Sequence, residues 1–184
     1  AMNLPRATMR LQFHRRFTFG DASALVPYFA AFGVSHLYAS PILTARPGSL
    51  HGYDIIDPTR VNPELGGEEA LRRLVYELRR EEMGLIVDIV PNHMAVGSNN
   101  HWWMDVLAHG QRSRYAKFFD IDWTPDDLRV CGKIVLPILG HPYGEALAAG
   151  EITLQWKDDR QAVIRYFDYE FPVAAGTLTA VHDD

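Results

Sequence analysis

Residues 85–93 read Leu-Ile-Val-Asp-Ile-Val-Pro-Asn-His, and this stretch decides the fold. Residues 85–90 are apolar except for Asp88, a pattern typical of a parallel strand that is buried on both faces. A carboxylate in such a strand loses its hydration, and this loss costs free energy unless the group is paired or hydrogen-bonded. Asn92 and His93 follow directly. The segment predicts a strand with polar side chains at its carboxyl end, although a buried Asp that holds a loop and a His satisfied by backbone remain an equal alternative.

Upstream of this strand, strands and helices alternate. The predicted elements are a strand at 8–13, a helix at 18–33, a strand at 34–39 and a helix at 67–83. Either Thr18 or Asp21 can cap the first helix, and Pro27 should kink it or delay its start. The second helix should end at Gly84. A long loop rich in Gly, Pro and His is predicted between the second strand and Gly67.

Strand–helix repeats of this size form right-handed βαβ units around a parallel sheet. They leave two architectures open, a doubly wound sheet and a (β/α)₈ barrel. The chain has neither G-x-G-x-x-G nor G-x-x-x-x-G-K-[ST], which disfavours a nucleotide-binding doubly wound domain. Long loops follow the second and third strands, where a barrel enzyme has its site. We therefore predict an α/β fold in which residues 1–110 form the first three β/α units of a partial TIM barrel.

The second half of the chain differs in character. A helix is predicted at 99–110, and its adjacent Trp102 and Trp103 are more readily explained as core residues than as sugar platforms. Beyond it, short strand-like runs separated by turn signals occur at 117–122, 133–139, 151–157 and 161–168. Residues 111–184 are therefore predicted to form an inserted α+β subdomain.

Composition excludes several classes of protein. The chain has 184 residues, is 47% hydrophobic and carries a net charge of −5, which disfavours a nucleic-acid partner. No apolar stretch approaches the roughly 20 residues of a membrane span, so we expect no membrane partner. Cys131 is the single cysteine, and the eight histidines include no H-x-x-x-H, so no metal and no cofactor are expected. The first residues do not resemble a secretory signal, and a cytoplasmic location is predicted.

A second polar segment is His51-Gly52-Tyr53-Asp54, in the loop after the second strand. Imidazole nitrogens can bond a hydroxyl, and a tyrosine ring offers a flat apolar face with a polar tip. A pyranose has apolar faces and a rim of hydroxyls, so these groups suit a sugar ring. A well-packed turn, with glycine chosen for its backbone freedom, is the simpler alternative for this segment taken alone.

Together the two polar segments resemble the α-amylase superfamily. Asp88-Ile-Val-Pro-Asn92-His93 is similar to its D-x-x-x-N-H region at the third strand, and His51-Gly52-Tyr53 to the loop that shapes its −1 sugar subsite. Within the superfamily, the chain resembles the maltooligosyltrehalose synthase family of α-glucan glucosylmutases. That resemblance rests on SHLYASPILTARPGSLHGYDIIDPTRVNPELGG, NNHWWMDVLAHG, YAKFFDIDW, LPILGHPYGEALAAGEITL and RYFDYEFPVAAGTL.

The resemblance implies a retaining enzyme that forms the α,α-1,1 linkage of trehalose at the end of a maltooligosaccharide. It assigns His51 and His93 to hydrogen bonds with the −1 glucose and Tyr53 to stacking against it. Asn92 and Asp88 would fix the strand end, and Asp54 would support the subsite.

The resemblance also implies what this stretch of sequence lacks. The nucleophile and the acid/base would lie beyond residue 184, so the chain alone is expected to be inactive. Its open sheet edges predict self-association. The alternatives are another hydrolase or glucosyltransferase of the superfamily, or a catalytically dead barrel relative that acts as a binding module.

Overall fold

A computed structural model describes residues 4–158, 161–174 and 177. The chain divides into two compact units, Ala1–Ala95 and Val96–Asp184. The first unit alternates strands with helices, and the second has helices followed by an antiparallel sheet. The predicted boundary at 110/111, between a barrel part and an inserted subdomain, stays a prediction.

The first unit is built around a short parallel sheet. Its elements in chain order are β1 (Thr8–Leu11), α1 (Phe19–Ala31), β2 (His36–Ala39), β3 (Leu43–Ala45), β4 (Ile55–Val61), a 3₁₀ turn (Pro63–Leu65), α2 (Gly67–Arg80) and β5 (Gly84–Val87). β2 lies in the middle of the sheet and pairs in parallel with β1 on one side and with β5 on the other. The predicted α/β character and all three predicted strands are therefore present.

The two faces of this sheet differ sharply. Leu11, Leu37 and Ala39 are buried in the core that the sheet shares with α1 and α2. Arg10 pairs with Tyr38, and Tyr38 with Ile86, so these three side chains lie on the opposite face. The strand that was predicted to be buried on both faces is only half-buried in the described chain.

Helix α1 is fixed at its start by a capping box. Thr18 is the N-cap, its hydroxyl accepts from the backbone N–H of Asp21, and the Asp21 carboxylate accepts from the backbone N–H of Thr18. Of the two predicted candidates, Thr18 is therefore the cap, and Asp21 is its partner in the capping box. Pro27 does not delay the start, because the helix begins at Phe19 and contains it.

The prediction for the end of α2 was wrong. The helix ends at Arg80, and Gly84 is the first residue of β5. Gly84 pairs with His36, whose buried ring occupies the space that a Cβ at position 84 would need. Glycine is required here by the approach of the histidine ring, and not by a helix cap.

The long loop predicted after β2 contains an antiparallel hairpin, β3–β4. Its register shifts twice, between Leu43 and Thr44 and between Thr44 and Ala45, and Pro58 lies inside β4. Irregular pairing breaks the simple alternation of apolar and polar residues from which strands are predicted.

The second unit contains α3 (His101–His109), 3₁₀ turns (Gly110–Arg112 and Ala116–Phe118), α4 (Tyr143–Ala148), β6 (Ile152–Asp158), β7 (Gln161–Tyr166) and β8 (Tyr169–Pro172). The last three strands form an antiparallel sheet in that order. Trp102 and Trp103 are buried as predicted, with Trp102 stacked at 4.8 Å on Tyr115.

Two predicted strands in this unit were wrong. Residues 117–122 and 133–139 are fully described and form no strand. In the first run, Phe118 packs against Trp102 and Phe119 against Trp103, so the aromatic residues serve a helix contact. In the second, Pro137 cannot donate to a ladder. The strand predicted at 161–168 ends at Tyr166, and Phe167, at φ 49°, begins the turn into β8.

Candidate sugar-binding site

The polar face of the parallel sheet carries the centre of the candidate site. Arg10 extends from β1, and its register partner Tyr38 from β2. Asp88 lies directly after β5, and its backbone N–H donates to the carbonyl of Ala39 at 3.0 Å, so the ladder continues to this residue. Asp88 is two residues beyond Ile86 and therefore shares its face.

The Asp88 carboxylate is the acceptor at which this group converges. The Tyr53 hydroxyl donates to Asp88 Oδ2 at 2.5 Å, and Arg10 Nη1 donates to the same oxygen at 3.3 Å. Arg10 Nη2 also donates to the Tyr53 hydroxyl oxygen at 3.0 Å. The guanidinium carbon lies 4.8 Å from the ring centroid of Tyr38, within range of a cation–π contact.

These contacts move the pKa values in opposite directions. The hydrogen bond from Tyr53, followed by that from Arg10, holds the pKa of Asp88 below its ordinary value of 3.8. The same hydrogen bond to Asp88 raises the pKa of Tyr53 above 10.0, against a smaller lowering by Arg10. The bond to Tyr53 raises the pKa of Arg10. At neutral pH the group therefore contains a carboxylate, a neutral phenol and a guanidinium.

The loop that supplies Tyr53 has a conformation that depends on Gly52. This residue has φ +78°, and a Cβ there would lie 2.6 Å from the carbonyl oxygen of Pro41. The backbone N–H of Tyr53 donates to His51 Nδ1 at 3.0 Å, which places the proton of a neutral ring on Nε2. The His51 and Tyr53 rings stack with centroids 5.9 Å apart.

Asp54 closes the same loop. Its carboxylate accepts a hydrogen bond from the Ser49 hydroxyl, and Oδ1 lies 3.8 Å from His51 Nδ1. The backbone N–H of Gly52 donates to the Ser49 oxygen at 3.1 Å. Asp54 is thus engaged inside the loop that carries His51 and Tyr53.

Asn92 and His93 lie in exposed positions after β5. His93 Nε2 is 3.1 Å from the carbonyl oxygen of Tyr53, and Nδ1 is 2.9 Å from Asn92 Oδ1. A neutral imidazole has one N–H, so it can donate to only one of these two oxygens. It can make both hydrogen bonds if the Asn92 amide is turned, because Nδ1 then accepts from the amide nitrogen while Nε2 donates to the Tyr53 carbonyl. The contact to Tyr53 joins the segment after β5 to the His51–Asp54 loop.

The structure thus brings all six sequence-predicted residues into one connected group. The members are His51, Tyr53, Asp54, Asp88, Asn92 and His93. Sequence reasoning missed Arg10, Tyr38, Ser49 and Gln12, whose amide donates to the carbonyl of Leu50 at 3.1 Å. Arg10 and Gln12 alternate with the buried Leu11 and Phe13, and that alternation could have identified them.

Two kinds of feature are absent from the part of the chain that the structure describes. Within residues 4–158, 161–174 and 177, there is no cluster of His, Cys, Asp and Glu side chains that could hold a metal ion. No helix within those ranges is long and apolar enough to cross a bilayer. The aromatic ring of Tyr53 and the hydrogen-bonding groups around it suit recognition of a ligand that offers hydroxyls and an apolar face.

Comparison with known proteins identifies the family. The model of the alpha-amylase catalytic domain matches residues 20–167. The chain therefore belongs to the alpha-amylase catalytic-domain family.

Within that family, the chain is similar to maltooligosyl trehalose synthases. It is 48% identical over 188 aligned residues to the putative maltooligosyl trehalose synthase of Mycobacterium tuberculosis H37Rv, an alignment that covers 96% of this chain and 23% of that protein. A crystal structure of a maltooligosyl trehalose synthase superimposes with a TM-score of 0.81 at 45% identity, over 92% of this chain and 23% of the other. The hypothetical maltooligosyl trehalose synthase of Sulfolobus tokodaii gives 0.76 at 38% identity, over 99% and 23%. The chain thus spans about a quarter of these relatives.

The lowered pKa of Asp88 predicts how the site responds to acid. The stabilisation of the folded state by its hydrogen bonds should be fully present above the ordinary carboxyl pKa of 3.8. It should be lost as the pH falls through the lower folded-state pKa. Tyr53→Phe removes the strongest of these hydrogen bonds, so it should move the pKa of Asp88 back up toward 3.8. Carboxyl carbon NMR of Asp88 in both proteins measures the shift. Tyr76→Phe, which changes an exposed tyrosine of α2, is the control. An Asp88 titration that Tyr53→Phe does not move would contradict the assigned bond.

Proposed function

We propose that this chain is the N-terminal part of the catalytic (β/α)₈ barrel of an α-glucan glucosylmutase. The enzyme would convert the reducing-end α-1,4 linkage of a maltooligosaccharide into an α,α-1,1 linkage, which forms a terminal trehalose unit. Residues 1–110 would belong to the barrel and 111–184 to an inserted subdomain. The observation that carries this proposal is the connected group of Tyr53, Asp88 and His93 in a chain 48% identical to a putative maltooligosyl trehalose synthase.

The geometry supports a role for this group in holding one glucose ring. The Tyr53 hydroxyl is engaged by Asp88 and Arg10, so its ring would present a fixed apolar face to the sugar. His51 stacks on that ring, and His93 contacts the backbone carbonyl of Tyr53; the nitrogens of both imidazoles can exchange hydrogen bonds with sugar hydroxyls. Binding through His93 would replace its present contact with the Tyr53 carbonyl.

Neither carboxylate of this group is suited to the covalent chemistry. A retaining enzyme needs one carboxylate as nucleophile and a second carboxyl as acid and base. Asp88 accepts from Tyr53 and Arg10, and its lowered pKa opposes a role as an acid at neutral pH. Asp54 accepts from Ser49. We propose, as the resemblance implies, that the nucleophile and the acid/base lie beyond residue 184.

The remaining parts of the proposal concern cofactors and location. The reaction class needs only carboxyl groups, so we propose that the enzyme uses no metal and no cofactor. The exposed Cys131 fits a reducing compartment, and we propose a cytoplasmic location.

Product analysis of the full-length protein tests the activity. Incubation with maltopentaose should give a product of the same mass that has no reducing end and contains a terminal α,α-1,1 linkage, detected by chromatography and NMR. Release of maltose or glucose instead would favour a hydrolase of the same family. The absence of any turnover would favour a catalytically dead relative that binds glucan. The 184-residue chain alone, as the matched control, should turn over nothing.

His93→Ala in the full-length protein should lower kcat/KM by roughly 10²-fold, because a hydrogen bond that strengthens as charge develops on the sugar is worth about 2–4 kcal/mol. The melting temperature should change little, since His93 is exposed. His109→Ala, which removes an exposed histidine of α3, is the control. A variant that melts several degrees lower with near-normal kinetics would instead assign His93 to packing.

We also propose that the isolated chain self-associates through its sheet edges. Among the described residues, β1 and β5 each pair only with β2, so each leaves a row of backbone donors and acceptors on its outer side. Light scattering over a concentration series should show oligomers at micromolar concentration. Thr8→Lys, which adds a charge at an exposed position of β1, should weaken the association. A wild-type chain that stays monomeric at high micromolar concentration would contradict the proposal.

A further inference from the structure

Arg10 contacts three side chains of the candidate site, and the proposed function gives it no role of its own. Its guanidinium joins the Asp88 carboxylate, at 3.3 Å, to the Tyr53 hydroxyl, at 3.0 Å. It also lies over the ring of Tyr38. These contacts link β1, β2, the end of β5 and the His51–Asp54 loop.

We propose that Arg10 is a positioning residue that sets the orientation of the Tyr53 ring for stacking on a glucose unit. This inference rests on the proposed sugar-binding function of Tyr53. Arg10 acts through the phenol and does not itself touch the reacting atoms.

The argument begins with the geometry of a phenol. The hydroxyl oxygen of tyrosine lies on the long axis of the ring, so rotation about that axis leaves the oxygen in place but turns its donor and acceptor directions. A single partner restrains this rotation weakly. Here the Tyr53 oxygen accepts from Arg10 and donates to Asp88, so its donor and acceptor directions are both used. Two partners define the plane of the ring, and that plane is what stacking requires.

Arg10 is itself held in place. It is the direct register partner of Tyr38, and its guanidinium carbon is 4.8 Å from the centre of that ring. The planar fork allows Nη1 to reach Asp88 while Nη2 reaches Tyr53. A lysine at this position would carry the charge but could not present two donors in a fixed fork over the same ring.

The positively charged partner also balances the carboxylate. Arg10 lowers the pKa of Tyr53, whereas the bond to Asp88 raises it. Removal of Arg10 would leave the carboxylate bond acting alone, so the phenol should then titrate at a higher pH. This effect gives a readout that does not depend on sugar.

The first test measures that titration in the full-length protein. The wild-type minus Tyr53→Phe difference in phenolate absorbance isolates Tyr53, and the same difference is taken in an Arg10→Gln background. We expect Arg10→Gln to move the titration to higher pH, and Arg16→Gln, which removes an exposed arginine outside the site, to leave it unchanged. A Tyr53 titration that is the same with and without Arg10 would overturn the proposal.

The second test is a double-mutant cycle on kcat/KM with maltopentaose. Arg10→Gln should lower kcat/KM by roughly 10- to 10²-fold in the wild-type background, as expected for a misplaced binding group. It should have little effect in the Tyr53→Phe background, where the phenol it holds is already gone. Equal effects in both backgrounds would show that Arg10 does not act through Tyr53, and would overturn the proposal.

Arg10→Lys guards against a merely structural explanation. It keeps the charge, so it should fold even if Arg10→Gln does not, yet it should fail to restore kcat/KM. Full activity with lysine would show that charge alone suffices and would overturn the positioning role. A wild-type protein that turns over no maltooligosaccharide refutes the proposed function instead, and the titration still tests the contact between Arg10 and the phenol that the positioning role requires.

Discussion

The structure of the first unit depends on one constraint, the two-sidedness of its parallel sheet. Successive residues of a strand point to opposite faces, and here α1 and α2 cover only one of them. Burial of Leu37 against the helices therefore obliges Tyr38 to point away from them. The parallel register then sets Arg10 beside Tyr38, and the continuation of β5 brings Asp88 to the same face. Formation of the apolar core and presentation of the polar group are two results of the same register.

The candidate site is assembled across the chain and not within any one segment. Tyr53 lies 43 residues from Arg10 and 35 from Asp88, and the three side chains share one hydrogen-bonded group. Each member limits what the others can do. Asp88 is kept ionised, the Tyr53 phenol is kept protonated, and the positive charge of Arg10 balances the negative charge of the carboxylate. Such a group is well suited to hold a neutral ligand in a defined orientation, and poorly suited to donate or remove a proton at neutral pH.

The sequence predicted most of this fold and most of this site, for physical reasons that differ from place to place. Periodicity located α2, and the apolar run around Asp88 located β5, because burial leaves a regular pattern. The hairpin β3–β4 escaped because its register shifts destroy that pattern. The strand predicted at 117–122 was wrong because aromatic residues favour strands in general, whereas those in this run pack on tryptophans of α3. Arg10 was missed because its alternation with Leu11 and Phe13 shows only which face of β1 it occupies, and its partners come from distant segments. The residues of the recognised motifs lie together, but their roles toward a sugar still rest on resemblance.

The order of the strands has a consequence for how the chain is made. A ribosome releases β1 first, then β2, then β5, and this is also their spatial order across the sheet. Each new strand can pair with the free edge of the strand that precedes it in the sheet, without insertion between strands that are already paired. The hairpin β3–β4 lies between two of these strands in the chain but pairs with itself. The sheet can therefore grow from one side during synthesis, and a nascent chain needs no rearrangement of earlier pairs before the next strand arrives.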